Sequence, residues 1–383
     1  MHSVTTIGLD IAKSVFQVHG VDAAGKVVIR RQLKRRYVLA FFEKLAPCLV
    51  GIEACASSHH WSRALQALGH TVRLMPPAYV KPYVKRQKND AADAEAICEA
   101  VTRANMRFVE TKTPEQQSCL MLHRTRHLLI RQQTAVINAI RAHLAEFGVV
   151  ASVGRRGVAE LLDVVAASSE ERVPEVARGC VAALGVQLRM LKAQILEFDR
   201  QIMAWHRSNE TSRRLDEIPG VGPALATALV ASVADPKAFR SGRNFSAWIG
   251  LVPKQHSSGG KDRLGSISKQ GDRYLRSLFT AGALAVIRYA KIHGTKRPWL
   301  TALLARRPTK VAAIALANKI ARMAWAMMAK ATRSVTLSVT PGKAAPRAGA
   351  TRNHCAREIA CCAVAPTSAN YGGADHTPCT REQ

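Results

Sequence analysis

Apolar positions in the N-terminal part of the chain switch repeatedly between two periods. Residues 5–9 and 15–21 read as strands. Asp22-Ala-Ala-Gly25 reads as a turn into a third strand at 26–32, which makes a three-stranded meander. Residues 36–45 and 59–68 carry helical spacing, whereas 48–54 and 71–75 are short buried runs suited to strands. Helix-forming sequence follows from Asp90 through Val101. The order β-β-β-α-β-α-β-α sets the class of residues 1–110 as α/β.

The pattern then becomes helical. From Pro114 to about Phe147 the sequence is continuous helix former carrying His123, Arg124, Arg126, His127, Arg131, Arg141 and His143, which predicts a basic face. Further on, Val181, Leu184, Leu188, Leu191, Ile195, Phe198, Ile202 and Trp205 recur at alternating spacings of three and four, a heptad seam. Packing against the Pro114 helix within one chain and pairing between chains satisfy such a seam equally. Residues 111–210 therefore form a helical, coiled-coil region. A mostly α region follows over 211–333. Beyond it the composition turns to Ala, Pro, Thr and Gly with Cys355, Cys361, Cys362 and Cys379 and no periodicity, so 334–383 is expected to be a disordered tail.

Charge narrows the function. Lys and Arg number 56 against 27 Asp and Glu, a formal net charge of +29, and 48% of residues are hydrophobic, enough for real cores. Between Arg273 and Arg333 there is no acid at all, and such a block points to phosphates as partners. Cys48, Cys55, Cys98, Cys119 and Cys180 sit singly, without the spacing of a zinc site, and read as reduced, buried thiols. Because the start of the chain runs straight into a strand pattern, a cytoplasmic protein is expected. The apolar run 311–329 is interrupted by Asn318, Lys319 and Arg322 and reads as an amphipathic soluble helix rather than a membrane span.

Phosphodiester chemistry uses divalent cations held by carboxylates. Asp10 ends the first strand and Glu53 ends the buried strand, while Asp90 and Asp93 lie three apart at the start of a helix, on one side of it. Any one of these acids alone is more often a turn or cap residue, and Asp90 alone fits an N-cap. Their combination with this element order places acids of the first and fourth strands beside an acidic helix in a ribonuclease-H-type sheet.

In these contexts Asp10, Glu53, Asp90 and Asp93 resemble the DEDD tetrad of the RuvC-like domain of transposases of the insertion-sequence 110 family, and the chain resembles its 1111 subgroup. A second stretch, from Gly250-Leu-Val-Pro253 through His256-Ser257-Ser258-Gly259-Gly260 to Lys269-Gln-Gly271-Asp-Arg273-Tyr-Leu-Arg276, is similar to that family's C-terminal transposase domain. The resemblance covers about residues 1 to 333. It implies Mg2+ or Mn2+ on the four acids and Ser258 as a nucleophile forming a phosphoserine link to DNA, with Ser257 as the fallback. Read without the family, Ser-Ser-Gly-Gly is ordinary loop sequence. Adjacent His256, Lys261, Arg263 and Lys269 could serve as base or phosphate ligands.

Ile218-Pro-Gly220-Val-Gly222 is similar to the hairpin of a helix-hairpin-helix, in which glycines let backbone N–H groups approach a phosphate; a helix-packing turn fits as well. Lys269, Arg273 and Arg276 are further candidates for nucleic-acid contact. The resemblance also implies element-end and target DNA and an element-encoded guide (bridge) RNA as partners. It implies a homo-oligomer, dimer or tetramer, working at the nucleoid. Two rival readings use the same residues differently: a Holliday-junction-resolvase-like endonuclease with water as nucleophile, and a non-catalytic architectural nucleic-acid binder. The chain departs from the family beyond about Arg333, where an altered reading frame would produce such a tail.

Overall fold

The computed structural model describes residues 3–85, 89–167, 170–294 and 297–331; the expectation for 334–383 lies outside these. The chain divides into two compact units, one of residues 1–213 with 226–240, the other of 214–225 with 241–383.

The first unit opens with β1 (Thr6–Ile11), β2 (Val15–Val21), β3 (Val27–Lys34), α1 (Val38–Phe42), β4 (Leu49–Glu53), α2 (Ser58–Ala67), β5 (Thr71–Met75), α3 (Pro77–Val80) and α4 (Asp90–Val101). Its sheet runs in the order β3-β2-β1-β4-β5. The first three strands pair antiparallel, and β1, β4 and β5 pair parallel. The β2–β3 turn follows from its residues. Asp22 accepts hydrogen bonds on Oδ1 from the amides of Ala24 (3.0 Å) and Lys26 (2.9 Å), and Gly25 supplies the positive φ of 79°. The parallel strands need crossovers, which α1 and α2 provide. Val38 and Phe42 of α1 and Trp61 and Leu65 of α2 bury against Ile7, Leu9, Phe16, Val50 and Ile52. On the other face α4 lays Ala96, Ile97, Ala100 and Val101 against Met75 and Val80. With both faces covered, β1 is buried over Thr6 to Leu9.

Three longer helices follow: α5 (Pro114–Ala145), α6 (Arg155–Ala166) and α7 (Glu175–Ser208). A capping box starts α5: the Gln116 amide donates to Thr113 Oγ1 (3.2 Å) and the Thr113 amide to Gln116 Oε1 (3.0 Å). The heptad seam packs within the chain. Val181, Leu188 and Leu191 of α7 bury with Val136, Ile140 and Leu144 of α5 and with Val158, Leu161 and Val165 of α6. Toward the other end Arg126 donates from Nε to Asp199 Oδ1 at 2.5 Å, so α5 and α7 run antiparallel.

Only part of the basic face expected on α5 is exposed: Arg124 and Arg131, seven residues apart on one side, and His143 reach the surface, while three other members are used inside the fold. His123 is buried, Arg126 is paired with Asp199, and Arg141 donates to the carbonyls of Ala151, Ser152 and Gly154, where it holds the loop into α6. Two of the thiols expected to be buried, Cys55 and Cys180, are exposed; Cys48, Cys98 and Cys119 are buried, and burial pushes each thiol up to about 11.

The connection between the units carries α8 (Glu210–Leu215) and α9 (Pro223–Ser232). The second unit continues with α10 (Gly242–Ile249), the antiparallel hairpin β6 (Pro253–Gln255) and β7 (Leu264–Ile267), α11 (Arg273–His293), α12 (Pro298–Arg306) and α13 (Thr309–Ala331). Its core joins Phe245 and Ile249 of α10, Leu275, Phe279 and Ile287 of α11, and Leu316, Ile320 and Ala324 of α13. Two helices, Glu175–Ser208 and Thr309–Lys330, are long and apolar enough to cross a membrane by length and composition. Each buries one stripe in the protein cores just described.

Candidate acidic centre and serine hairpin

The acidic centre is built by two glycines. Gly8 of β1 and Gly51 of β4 are register partners and face α4. A Cβ on Gly8 would overlap the Ala94 carbonyl oxygen and the Cys98 amide nitrogen; one on Gly51 would lie 2.8 Å from Val101 Cβ. Bare backbone at both positions lets α4 lie directly on the sheet. Side chains alternate along a strand, so Asp10, two residues past Gly8, and Glu53, two past Gly51, share that face. Helix α4 begins beside them, and its first turn carries Asp90 and Asp93.

The carboxylate oxygens of Asp10, Asp90 and Asp93 lie within 4.8 Å of one another, with Asp90 exposed and the other two half-buried. Asn89, not Asp90, caps the helix, accepting from the Ala92 amide at 2.8 Å, so Asp90 is not used as the cap. Glu53 stands one register step beyond the Leu9–Ile52 pair, beside Asp10 along the strand edge, but its carboxylate is not within the cluster of three. The donor set is all oxygen and anionic, which fits a hard divalent cation such as Mg2+ or Mn2+ better than a softer metal. Carboxylates this close repel one another, and a cation among them would relieve that repulsion.

In the second unit the Ser-Ser-Gly-Gly segment, ordinary loop by composition, is the tip of the β6–β7 hairpin. Ser258 bridges to Lys261, whose amide donates to the Ser258 carbonyl at 3.1 Å. Gly259 and Gly260 between them have φ of 56° and 73°, the paired positive values of a type I′ turn, whose twist matches the flanking strands. The two serines differ sharply. Ser257 donates to Asp262 Oδ1 (3.3 Å) and accepts from the Arg263 amide (3.1 Å) and from Gln255 Nε2 (3.3 Å). Ser258 is exposed, and its hydroxyl makes no hydrogen bond among the described residues. It lies two residues beyond His256, on the face that alternation places opposite Ser257.

The base of the hairpin is held by backbone contact. Cβ atoms on Gly250 and Gly271 would overlap the backbones of Gln270 and Trp248, and Lys269 takes the left-handed region (φ 54°), uncommon for a side-chain-bearing residue. Arg276 donates to the carbonyls of Ile249 (2.9 Å) and Gln270 (3.0 Å), so much of its guanidinium holds the hairpin to α10. Lys269 and Arg273 are exposed. Asp272 caps α11, accepting from the amides of Tyr274 and Leu275 at 2.7 and 3.0 Å.

Of the two hairpin glycines, Gly220 (φ 93°) is packed, with its Cα close to the Gly282 carbonyl and Ile320 Cδ1. That is the helix-packing turn. No described residue lies within 4 Å of a Cβ built on Gly222, so its Cα faces open space. Glycine inside a strand is itself a signal of close backbone approach, and Gly8 and Gly51 carry that signal in the sequence.

The family model described as "Transposase IS116/IS110/IS902 family" matches residues 212–297, and a second, described as "Transposase", matches residues 7–148. The chain is 50% identical over 332 residues to the "Probable family 20 transposase" of Pseudomonas aeruginosa, covering 86% of this chain and 98% of that protein. It is 40% identical over 331 residues to the "Transposase for insertion sequence element IS1111A" of Coxiella burnetii, covering 86% and 91%. It is 37% identical over 333 residues to the "Transposase for insertion sequence element IS1328" of Yersinia enterocolitica, covering 87% and 99%. With matches spanning both the acid-bearing sheet and the serine hairpin, the chain belongs to the IS116/IS110/IS902 family of transposases.

Proposed function

We propose that this transposase cuts and rejoins DNA strands with two groups of residues, the acids Asp10, Glu53, Asp90 and Asp93 and the serine Ser258. The observation that carries the reading is the convergence of the Asp10, Asp90 and Asp93 carboxylates at the end of β1. The 3-2-1-4-5 sheet, with an antiparallel β2 and an acidic helix on one face, supports an RNase-H-like domain. Bound there, Mg2+ or Mn2+ would neutralise charge on a phosphate and its leaving oxygen. Asp10, Asp90 and Asp93 would hold it, with Glu53 beside them at the end of β4 as a further ligand, and α4 positions two of the four.

Ser258 supplies the nucleophile. Its Oγ attacks a DNA phosphorus, the Oγ–P bond forms as a P–O bond of the strand breaks, the serine proton passes to a base, and the leaving oxygen keeps its electron pair and takes up a proton. His256 is a candidate for that base. A hydroxyl of a second strand reverses the step and restores Ser258, so the phosphodiester energy is conserved without a nucleotide cofactor. The choice of Ser258 over Ser257 rests on hydrogen bonding, since Ser257 Oγ is occupied on three sides. Lys269, Arg273 and Gly222 hold backbone phosphates. The family resemblance and the charge of +29 support a homo-oligomer that also carries a guide RNA.

The test traps the protein on a nicked suicide substrate, digests the complex and locates the nucleotide-bearing peptide by mass spectrometry. Modification at Ser258, absent in Ser258→Ala, is expected. Strand cleavage with no covalent adduct would instead favour a resolvase using water.

A further inference from the structure

Residues 76–85 follow β5 and precede α4, the two elements that flank the acidic centre. At one end Met75 is the register partner of Glu53, and the Ala54 amide donates to the Met75 carbonyl at 2.8 Å. At the other, Lys85 lies four residues before Asn89, the cap of the helix that carries Asp90 and Asp93. Parallel pairing puts the carboxyl ends of β1, β4 and β5 at one sheet edge, so residues 76–85 leave from the edge where the acids stand. Ligands of such sheets bind at that edge.

The segment is rigid and has two sides. Val80 is fully buried, and Tyr83 and Val84 pack partly onto the same cluster beneath α4. Pro77 opens α3, and Pro82 sits in a 3-10 turn, Lys81–Tyr83, which limits backbone freedom. The outward side consists of Tyr79, 44% exposed, with Lys81 and Lys85. Lys85 also reaches Glu95 at 3.8 Å, an exposed pair too weak to remove it from a stronger partner. Charge agrees: between Glu53 and Asp90 the sequence has no Asp or Glu, while Lys81, Lys85, Arg86 and Lys88 follow one another closely. An exposed aromatic ring among cations on a pre-ordered turn is the arrangement that holds single strands, with the ring stacking a base and the cations following the backbone. A double helix keeps its base faces covered and could use only the cations.

We infer that Tyr79, with Lys81 and Lys85, forms a stacking platform for an unpaired DNA strand that leads into the acidic centre. The inference rests on the reading of that centre as the site of strand cleavage. Such a platform selects a melted or displaced strand over a duplex, and it fixes which nucleotide meets the acids.

The experiment uses the full chain in EDTA, where no cleavage occurs, and single-stranded DNA carrying 2-aminopurine, whose fluorescence falls when the base stacks on an aromatic ring. Tyr79→Ala should weaken single-strand binding by about fivefold or more and abolish the quench, leave duplex binding unchanged, and melt like the parent. Tyr79→Phe should keep both affinity and quench, because it retains the ring. Equal single-strand affinity and quench in Tyr79→Ala would overturn the platform. So would an equal loss on duplex, or dependence on Tyr79 for RNA of the same sequence but not for DNA. Because this readout needs neither metal nor turnover, inactivity of the acids would sink the cleavage reading while leaving the platform standing.

Discussion

Gly8 of β1 presents its bare Cα to the Ala94 carbonyl of α4, a contact no residue with a Cβ could make. Gly8→Ala should therefore push the helix off the sheet, costing about 1–3 kcal/mol of stability and a larger share of activity, since Asp90 and Asp93 move with α4. Gly179, exposed on α7 with nothing within 4 Å of an added Cβ, is the control. Gly179→Ala should stabilise by about 0.5–1 kcal/mol with activity intact. Thermal melting alongside a strand-transfer assay separates the two; equal effects would break the positioning argument.

Neutralising the acids should have opposite consequences with and without metal. In EDTA, Asp90→Asn removes one of three mutually repelling charges and should raise stability, by an amount on the order of 1 kcal/mol, seen as a higher melting temperature. Mg2+ at a hundredfold excess over its dissociation constant should stabilise the parent by about 2.7 kcal/mol. Asp10→Asn should lose that response together with cleavage. A Mg2+-dependent melting shift that survives in Asp10→Asn would place the cation elsewhere.

Salt dependence should sort the hairpin's cations. Lys269→Gln and Arg273→Gln should each flatten the slope of log affinity against log salt by about 0.9 if each meets a phosphate. Arg276→Gln should chiefly lower the melting temperature, because it frees the carbonyls of Ile249 and Gln270. Unchanged slopes for both exposed residues would turn that face away from nucleic acid.

His123 sets an acid limit on the first unit. It is buried, with Nε2 2.9 Å from Thr227 Oγ1, and burial first, then the Arg126 charge, lowers its pKa to about 4. The unfolded chain takes up this proton below about 6.5, and the folded chain only below about 4. Stability from this residue is therefore complete above 6.5, declines as pH falls between those values, and is lost below 4, a loss of at most about 3 kcal/mol. His123→Gln should flatten the acid limb of a stability-against-pH curve; an unchanged limb would assign it to other groups.

What could be read in the sequence was what local chemistry determines. Asp22 and Gly25 carry their own turn, the period-2 runs carry the sheet, and acids at strand ends stand out against buried neighbours. Less accessible was anything set by long-range packing. The cations of α5 look like a face in the sequence, but Arg126 and Arg141 are claimed by Asp199 and by loop carbonyls that only the folded chain brings near. Helix α6 was missed between two longer helices, and the serine hairpin hid because its strands are short and exposed, with no alternation to show. The tetrad reads as one centre in the sequence; the folded chain brings the three aspartate carboxylates together and leaves Glu53 beside them at the end of β4, a difference of side-chain reach that spacing does not encode.

Helix α5 has a consequence beyond packing. At 1.5 Å per residue its 32 residues span about 48 Å. Its first turns are tied to α9, through Cys119 and His123 to Thr227, and its last turns are embedded among α6 and α7. A continuous helix anchored at both ends ties the positions of the two anchorages to one another. A tilt of about five degrees at one anchorage would carry the other through about 4 Å, a helix pitch being 5.4 Å. Whatever grips the three-helix end can therefore be felt at the α9 end as a displacement of atomic size, with no intervening part having to unfold.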